Sequence, residues 1–122
     1  MQFTSEKPAS NTIRSYRAGE IQLADRVLDA NVILSAAEII EGWKPAPLAE
    51  LSLADFEPAL SLQPEIILCG TGQHQRFPDI HVLTEIMRMG IAIEVMETHA
   101  ACRTFNVLIG EKRSVVAALL IH

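Results

Sequence analysis

Residues 65–121 alternate short apolar runs with amphipathic stretches, and this rhythm constrains the fold more than any other feature of the chain. Glu65-Ile66-Ile67-Leu68-Cys69 is apolar after its first residue, as a strand buried on both faces requires. From Pro78 to Met89 the pattern becomes helical. Proline suits a first turn, Val82, Leu83, Ile86, Met87 and Met89 supply a buried stripe, and Gly90 is placed to end the helix. Ile91-Ala92-Ile93-Glu94-Val95 then reads as a second buried strand. Thr98 is placed to cap a helix from about His99 to Ile109, Gly110 to stop it, and Ser114 to Ile121 to form the last strand. Strand, helix, strand, helix, strand implies parallel pairing with right-handed crossovers, at least for the first unit.

The amino-terminal half has another character. Ile13, Ser15 and Arg17 alternate with Arg14, Tyr16 and Ala18 before Gly19 marks a turn, and Ile21 and Leu23 lie two apart. Asp29-Ala30-Asn31 is a turn signal ahead of Val32-Ile33-Leu34, so residues 12–35 read as antiparallel hairpins. Ala36 to Ile40 resembles a helix start that Gly42, Pro45 and Pro47 cut short. Trp43 is expected to pack over the sheet, and Ser52 or Asp55 to cap a short helix. The expected architecture is α/β with a mixed sheet whose parallel part is covered by helices, while the hairpin strands extend it or pack against it. Residues 12–122 form one domain in this reading, and residues 1–11, with Pro8, Ser10 and Asn11 and little apolar weight, form a flexible tail.

Fifteen acidic against ten basic residues give a formal charge of −5, which argues against a nucleic-acid partner because phosphates demand a basic face. No run reaches the roughly 18–20 apolar residues of a membrane-spanning helix. The opening Met1 to Pro8 has neither the basic-then-apolar order of a secretory signal nor the Arg-rich character of a mitochondrial presequence. That opening makes a bacterial or otherwise cytoplasmic protein the expectation, and two cysteines, which make no disulfide framework, fit a reducing compartment. An exposed strand edge in a small sheet invites self-association without fixing a stoichiometry.

Candidate chemistry gathers at the carboxyl ends of the inner strands. Gly70-Thr71-Gly72 follows the first of them. Two glycines there allow a tight turn, the close approach of another backbone, or N–H groups turned toward a small anion. A dinucleotide fingerprint is incomplete, since Gln75 stands where the third glycine belongs, and a P-loop ending is missing. Cys102 lies in the first turns of the second helix with His99 three residues before it, a spacing open to a base–nucleophile pair and equally to an inert buried thiol. Arg103 and Asn106 share a face of that helix. Arg103 suits a carboxylate or phosphate, or an internal bridge to Glu94 or Glu97. Glu94, inside an apolar strand, must emerge at an edge or find a partner. His74, His81 and His122 have no metal-ligand spacing with the cysteines, so neither a metal nor a cofactor is expected.

Residues 64–72, the Gly90-Ile91 helix end and Glu94-Val95-Met96-Glu97-Thr98-His99-Ala100-Ala101-Cys102-Arg103-Thr104-Phe105-Asn106-Val107-Leu108 resemble one family. It is the small domain-of-unknown-function family that includes the mitochondrial NADH:ubiquinone oxidoreductase assembly factor 3. The resemblance runs from about Tyr16 to Leu120, and Val32 to Ser35 and Gly42-Trp43 also match. It implies a three-layer α/β fold with a mixed central sheet and an additional small β layer. It brings no established catalytic activity, and it implies that Gly70, Thr71, Gly72, Arg103, Thr104 and Asn106 line a functional cleft. Many relatives place a basic residue soon after Gly-Thr-Gly, whereas here Gln73 and His74 precede Arg76, and the opening read as no presequence is expected to set the chain apart from the mitochondrial branch. The leading expectation is therefore a binding or assembly-factor-like protein whose partner is a membrane-complex subunit. The alternative is a small enzyme or ligand sensor, with a small anionic ligand, working between the Gly70–Gly72 loop and the Cys102–Asn106 helix start.

Overall fold

The computed structural model describes residues 10–121. Among these residues eight strands form two sheets. Ser15–Arg17 (β1), Glu20–Gln22 (β2) and Val27–Leu28 (β3) make an antiparallel three-stranded sheet in the order β1-β2-β3. Val32–Ser35 (β4), Ile39–Glu41 (β5), Ile66–Thr71 (β6), Ala92–Met96 (β7) and Val115–Leu120 (β8) make a five-stranded sheet in the order β5-β4-β8-β6-β7. β6 runs parallel to both β7 and β8, whereas β4 is antiparallel to both β8 and β5. The expected mixed α/β architecture is the observed one. One pair of amino-terminal strands extends the central sheet, and the other three form the additional β layer.

Alternation along the strands divides the interior into two cores. Leu68, Ala117, Leu119, Val32 and Leu34 point to one face, where they meet Ile13, Ile21, Leu23 and Leu28 of the small sheet and Ala101, Cys102 and Phe105 of helix α3 (Thr98–Gly110). Ile67, Cys69, Val116, Ala118 and Ile33 point to the other. There they meet Val82 and Ile86 of helix α2 (Ile80–Arg88) and Trp43, Leu51, Phe56 and Ala59 from the irregular segment that contains helix α1 (Glu57–Leu60). Trp43 packs over the sheet as expected, and its indole N–H donates to the Asp55 carbonyl at 2.8 Å. β8, wholly apolar, and β6, apolar up to Thr71, lie inside the sheet because both of their faces are covered.

Four expectations are corrected. Residues 39–41 form β5 and not a helix: the Glu38 N–H donates to Ser35 Oγ in the turn, and Ile39 and Ile40 pair with Leu34 and Ile33. β7 is an edge strand, half-covered, and Glu94 emerges on it exposed, one of the two outcomes its placement allowed. Met87 and Met89 do not join the buried stripe of α2 but lie about half exposed, and Asp79, after Pro78, caps that helix by accepting from the His81 N–H. Glu97, not Thr98, caps α3, its carboxylate accepting from the N–H groups of His99 and Ala100. Of the expected tail, residues 1–9 lie outside the described residues, as does His122. Asn11 is held to the β4–β5 turn, its N–H donating to the Ala36 carbonyl and its amide side chain to the Ser35 carbonyl. Among the described residues no helix is long and apolar enough to cross a membrane.

Candidate functional site

The end of β6 and the start of α3 meet at a joint built from Gly70, Gly72 and Thr98. A side chain at Gly70 would place its Cβ 2.9 Å from Thr98 Oγ1 and 3.2 Å from Thr98 Cα, so the missing side chain lets the first turn of α3 descend onto the sheet. Of the alternatives open to that glycine, close backbone approach is the one found. Gly72 has φ +92°, a left-handed conformation that turns the chain away from the strand. Its N–H donates to Thr98 Oγ1 at 2.8 Å, and its carbonyl accepts from the Thr98 N–H at 2.8 Å. The Thr98 hydroxyl in turn donates to the Leu120 carbonyl at 2.7 Å, tying β8 into the same joint. Thr98 is fully buried, and its hydroxyl both donates and accepts within the joint.

Thr71 organises the loop that follows. Its Oγ1 lies 2.6 Å from the His74 carbonyl and 3.3 Å from the Met96 carbonyl, and it accepts from the Arg76 N–H at 3.2 Å. Gln75 reaches across to the free edge of β7 and donates to the Val95 carbonyl at 3.1 Å, covering part of that edge. Loop residues 73–76 stay exposed while Thr71 and Gly72 are buried beneath them.

The residues of α3 divide between two roles. Cys102 is buried, and burial pushes its thiol up to about 12, with the Glu97 carboxylate raising it further and the Arg103 guanidinium acting in the opposite direction. His99 is exposed and stacks its ring on Tyr16 at 5.9 Å between centroids. Asn106 serves the small sheet, its side chain accepting from the Ile13 N–H and donating to the Ile13 carbonyl, both at 2.8 Å. Thr104 reaches Met96 Sδ at 3.6 Å. Arg103 is exposed, and among the described residues neither Glu94 nor Glu97 pairs with it. Gly70, Thr71 and Gly72 thus lie beside the first turn of α3, while Asn106 lies two turns further on against residue 13.

The open space at this end of the molecule lies on the other side of the joint. A cleft of about 630 Å³ runs between the β1–β2 turn at Ala18 and Gly19 and the loop 71–76, with Ile121 beyond the end of β8. Sequence spacing did not bring Gly19, His74 or Arg76 into the site. Gly19 is visible as a turn and Arg76 as a late basic residue, but their meeting depends on how the small sheet sits on the large one. Among the described residues no group of three His, Cys, Asp or Glu side chains is placed to hold a metal.

Known proteins resemble this chain in sequence and in fold. A 13 kDa major membrane protein of Francisella tularensis subsp. holarctica is 31% identical over 90 residues, 73% of each chain. The Bos taurus NADH dehydrogenase [ubiquinone] 1 alpha subcomplex assembly factor 3 is 32% identical over 118 residues, 94% of this chain and 63% of that protein. Across the vertebrate assembly factors that it matches, the chain spans between 44% and 63% of their length. The crystal structure of a Bordetella parapertussis protein superposes with a TM-score of 0.86 at 30% identity, covering 96% of this chain and 100% of that one. Residues 13–120, which hold both sheets, all three helices and the Gly72–Thr98 joint, match the family described as protein of unknown function (DUF498/DUF598), and the chain belongs to that family.

Proposed function

We propose that this chain is a binding module that assists assembly of a membrane-bound respiratory complex of the NADH dehydrogenase type by docking on one of its subunits. The likeness to the assembly factors, which extends over nearly the whole chain, carries the reading. The site geometry supports it. The thiol at the start of α3 is buried and its pKa raised, and Thr98, Gly70 and Asn106 are engaged in joining strands to helix. The reading of the helix start as a nucleophile therefore loses its main feature, an activated thiolate. Phe77 and Ile80, each 62% exposed, with Met87 and Met89, give the region of α2 an apolar outer side suited to a protein partner.

Deleting the gene in the native organism and resolving solubilised membranes on native gels tests the proposal. Loss of the assembled complex, restored by the wild-type chain and poorly by an Ile80→Glu/Met87→Glu variant, is expected. An unchanged level of assembled complex in the deletion strain overturns it.

A further inference from the structure

The helices that follow β6 and β7 leave the sheet on opposite faces: α2 packs on the face of Ile67 and Cys69, and α3 on the face of Leu68. Open α/β sheets bind ligands outside the carboxyl ends of strands that diverge in this way. Here Thr98 closes the crevice at the level of Gly72, so the accessible space is the neighbouring cleft between loop 71–76 and the β1–β2 turn. Arg76 and His74 line it, and no carboxylate does so among the described residues, although the chain as a whole carries a net charge of −5. Thr71 Oγ1 holds the Arg76 N–H, which fixes the root of that side chain, and among the described residues no carboxylate pairs with its guanidinium. An arginine rooted on a fixed loop and lining a cleft whose described walls carry no acidic side chain suits the charge of an oxyanion, which its guanidinium fork can hold in bidentate fashion.

We propose that this cleft binds a small molecule through a carboxylate or phosphate group, with Arg76 as the bidentate partner and His74 as a second donor. The Gly19 turn opposite leaves room for the body of the ligand. This site is separate from the Cys102 face of α3 and does not depend on the assembly reading.

The test is a titration of the isotope-labelled full chain with inorganic phosphate and, separately, with citrate, followed by amide chemical shifts at constant ionic strength. Saturable shifts centred on Gly19, Gly72, His74 and Arg76 are expected. Affinity falls at least about tenfold in Arg76→Ala and less in Arg76→Lys, whereas Arg88→Ala on α2 binds as the wild type does. Response to one anion alone identifies the headgroup as phosphate or carboxylate. Absence of saturable shifts up to tens of millimolar with both anions overturns the proposal. So do shifts centred elsewhere, or an unchanged affinity in a folded Arg76→Ala.

Discussion

Thr98 and Gly72 hold each other by two reciprocal hydrogen bonds, N–H to Oγ1 in one direction and N–H to carbonyl in the other, both at 2.8 Å. The pair joins residues 26 apart in sequence and fixes the carboxyl end of β6 to the first turn of α3. Because Thr98 Oγ1 also reaches Leu120, one hydroxyl links two parallel strands and a helix. The loop carrying His74 and Arg76 starts from this joint, so the shape of the cleft depends on it.

Replacing Thr98 with Val keeps the side-chain shape and removes the hydroxyl, leaving the Gly72 N–H and the Leu120 carbonyl without this partner. The expected loss of stability is about 2–4 kcal/mol, measured by urea unfolding, because two bonds disappear and buried polar groups are left unsatisfied. Thr98→Ser retains both bonds and loses only a methyl group, so it should cost about 1 kcal/mol. Equal losses in the two variants would show that packing, not the hydroxyl, holds the joint.

Gly70→Ala tests the same joint from the strand side. The added Cβ meets Leu119 Cδ2 and Thr98 Oγ1 at 2.9 Å and the Thr98 backbone at 3.2 Å, and a backbone cannot swing aside as a flexible side chain can. A loss of about 1–3 kcal/mol is expected. Gly110→Ala, with open space around its Cβ, should fall within about 0.5 kcal/mol of the wild type or above it. Unfolding midpoints in urea decide the comparison.

The cysteines give a pH dependence of definite sign. Burial holds the thiols of Cys69 and Cys102 up at about 12, against 9.0 for the unperturbed group. Below about pH 8 both are protonated in the folded and unfolded chain and contribute almost no slope. Above pH 9 the unfolded chain releases protons that the folded chain keeps, so stability falls as pH rises from about 9 to 12. Urea unfolding across that range should show a shallower decline in Cys102→Ala than in the wild type. At neutral pH, Cys102 should react with iodoacetamide only when the protein is unfolded; rapid alkylation of the native chain contradicts a buried, protonated thiol.

What could be read from the sequence was whatever neighbouring residues determine. The apolar run of β6 announces a strand covered on both faces because Ile67, Cys69 and Leu68 all need burial. The run at β7 carries nearly the same signal, yet among the described residues no strand pairs with its outer edge, since no local pattern records whether a second neighbour exists. Ala36-Ala37-Glu38 favours a helix locally, and the pairing of Ile39 and Ile40 with β4 overrides that preference. Thr98 is a good cap by residue type, but Gly72 and Leu120 claim its side chain, and Glu97 caps the helix instead. The neighbourhood of the Gly70–Gly72 turn and α3 follows from β6-α2-β7-α3 connectivity. The cleft at Arg76 does not, because its far wall, at Gly19, belongs to a sheet whose docking is set by side chains scattered over the whole chain.

Asn106 provides the clearest test of how that small sheet is attached. Its side chain closes two hydrogen bonds on the backbone of Ile13, just before β1, across 93 residues of sequence. Asn106→Ala leaves both backbone groups of Ile13 without their partner and should cost about 1–3 kcal/mol overall. The loss should also be local. Amide exchange of residues 15–17 and 20–22 should speed up more than that of β8, whose bonds are shared with β4 and β6. Asn106→Asp keeps an acceptor for the Ile13 N–H but sets a carboxylate oxygen against the Ile13 carbonyl, so it should speed exchange at least as much as Asn106→Ala does. Uniform acceleration across both sheets would mean that the small sheet unfolds only with the rest of the chain, and that its apolar contacts with α3, rather than this clamp, set its position.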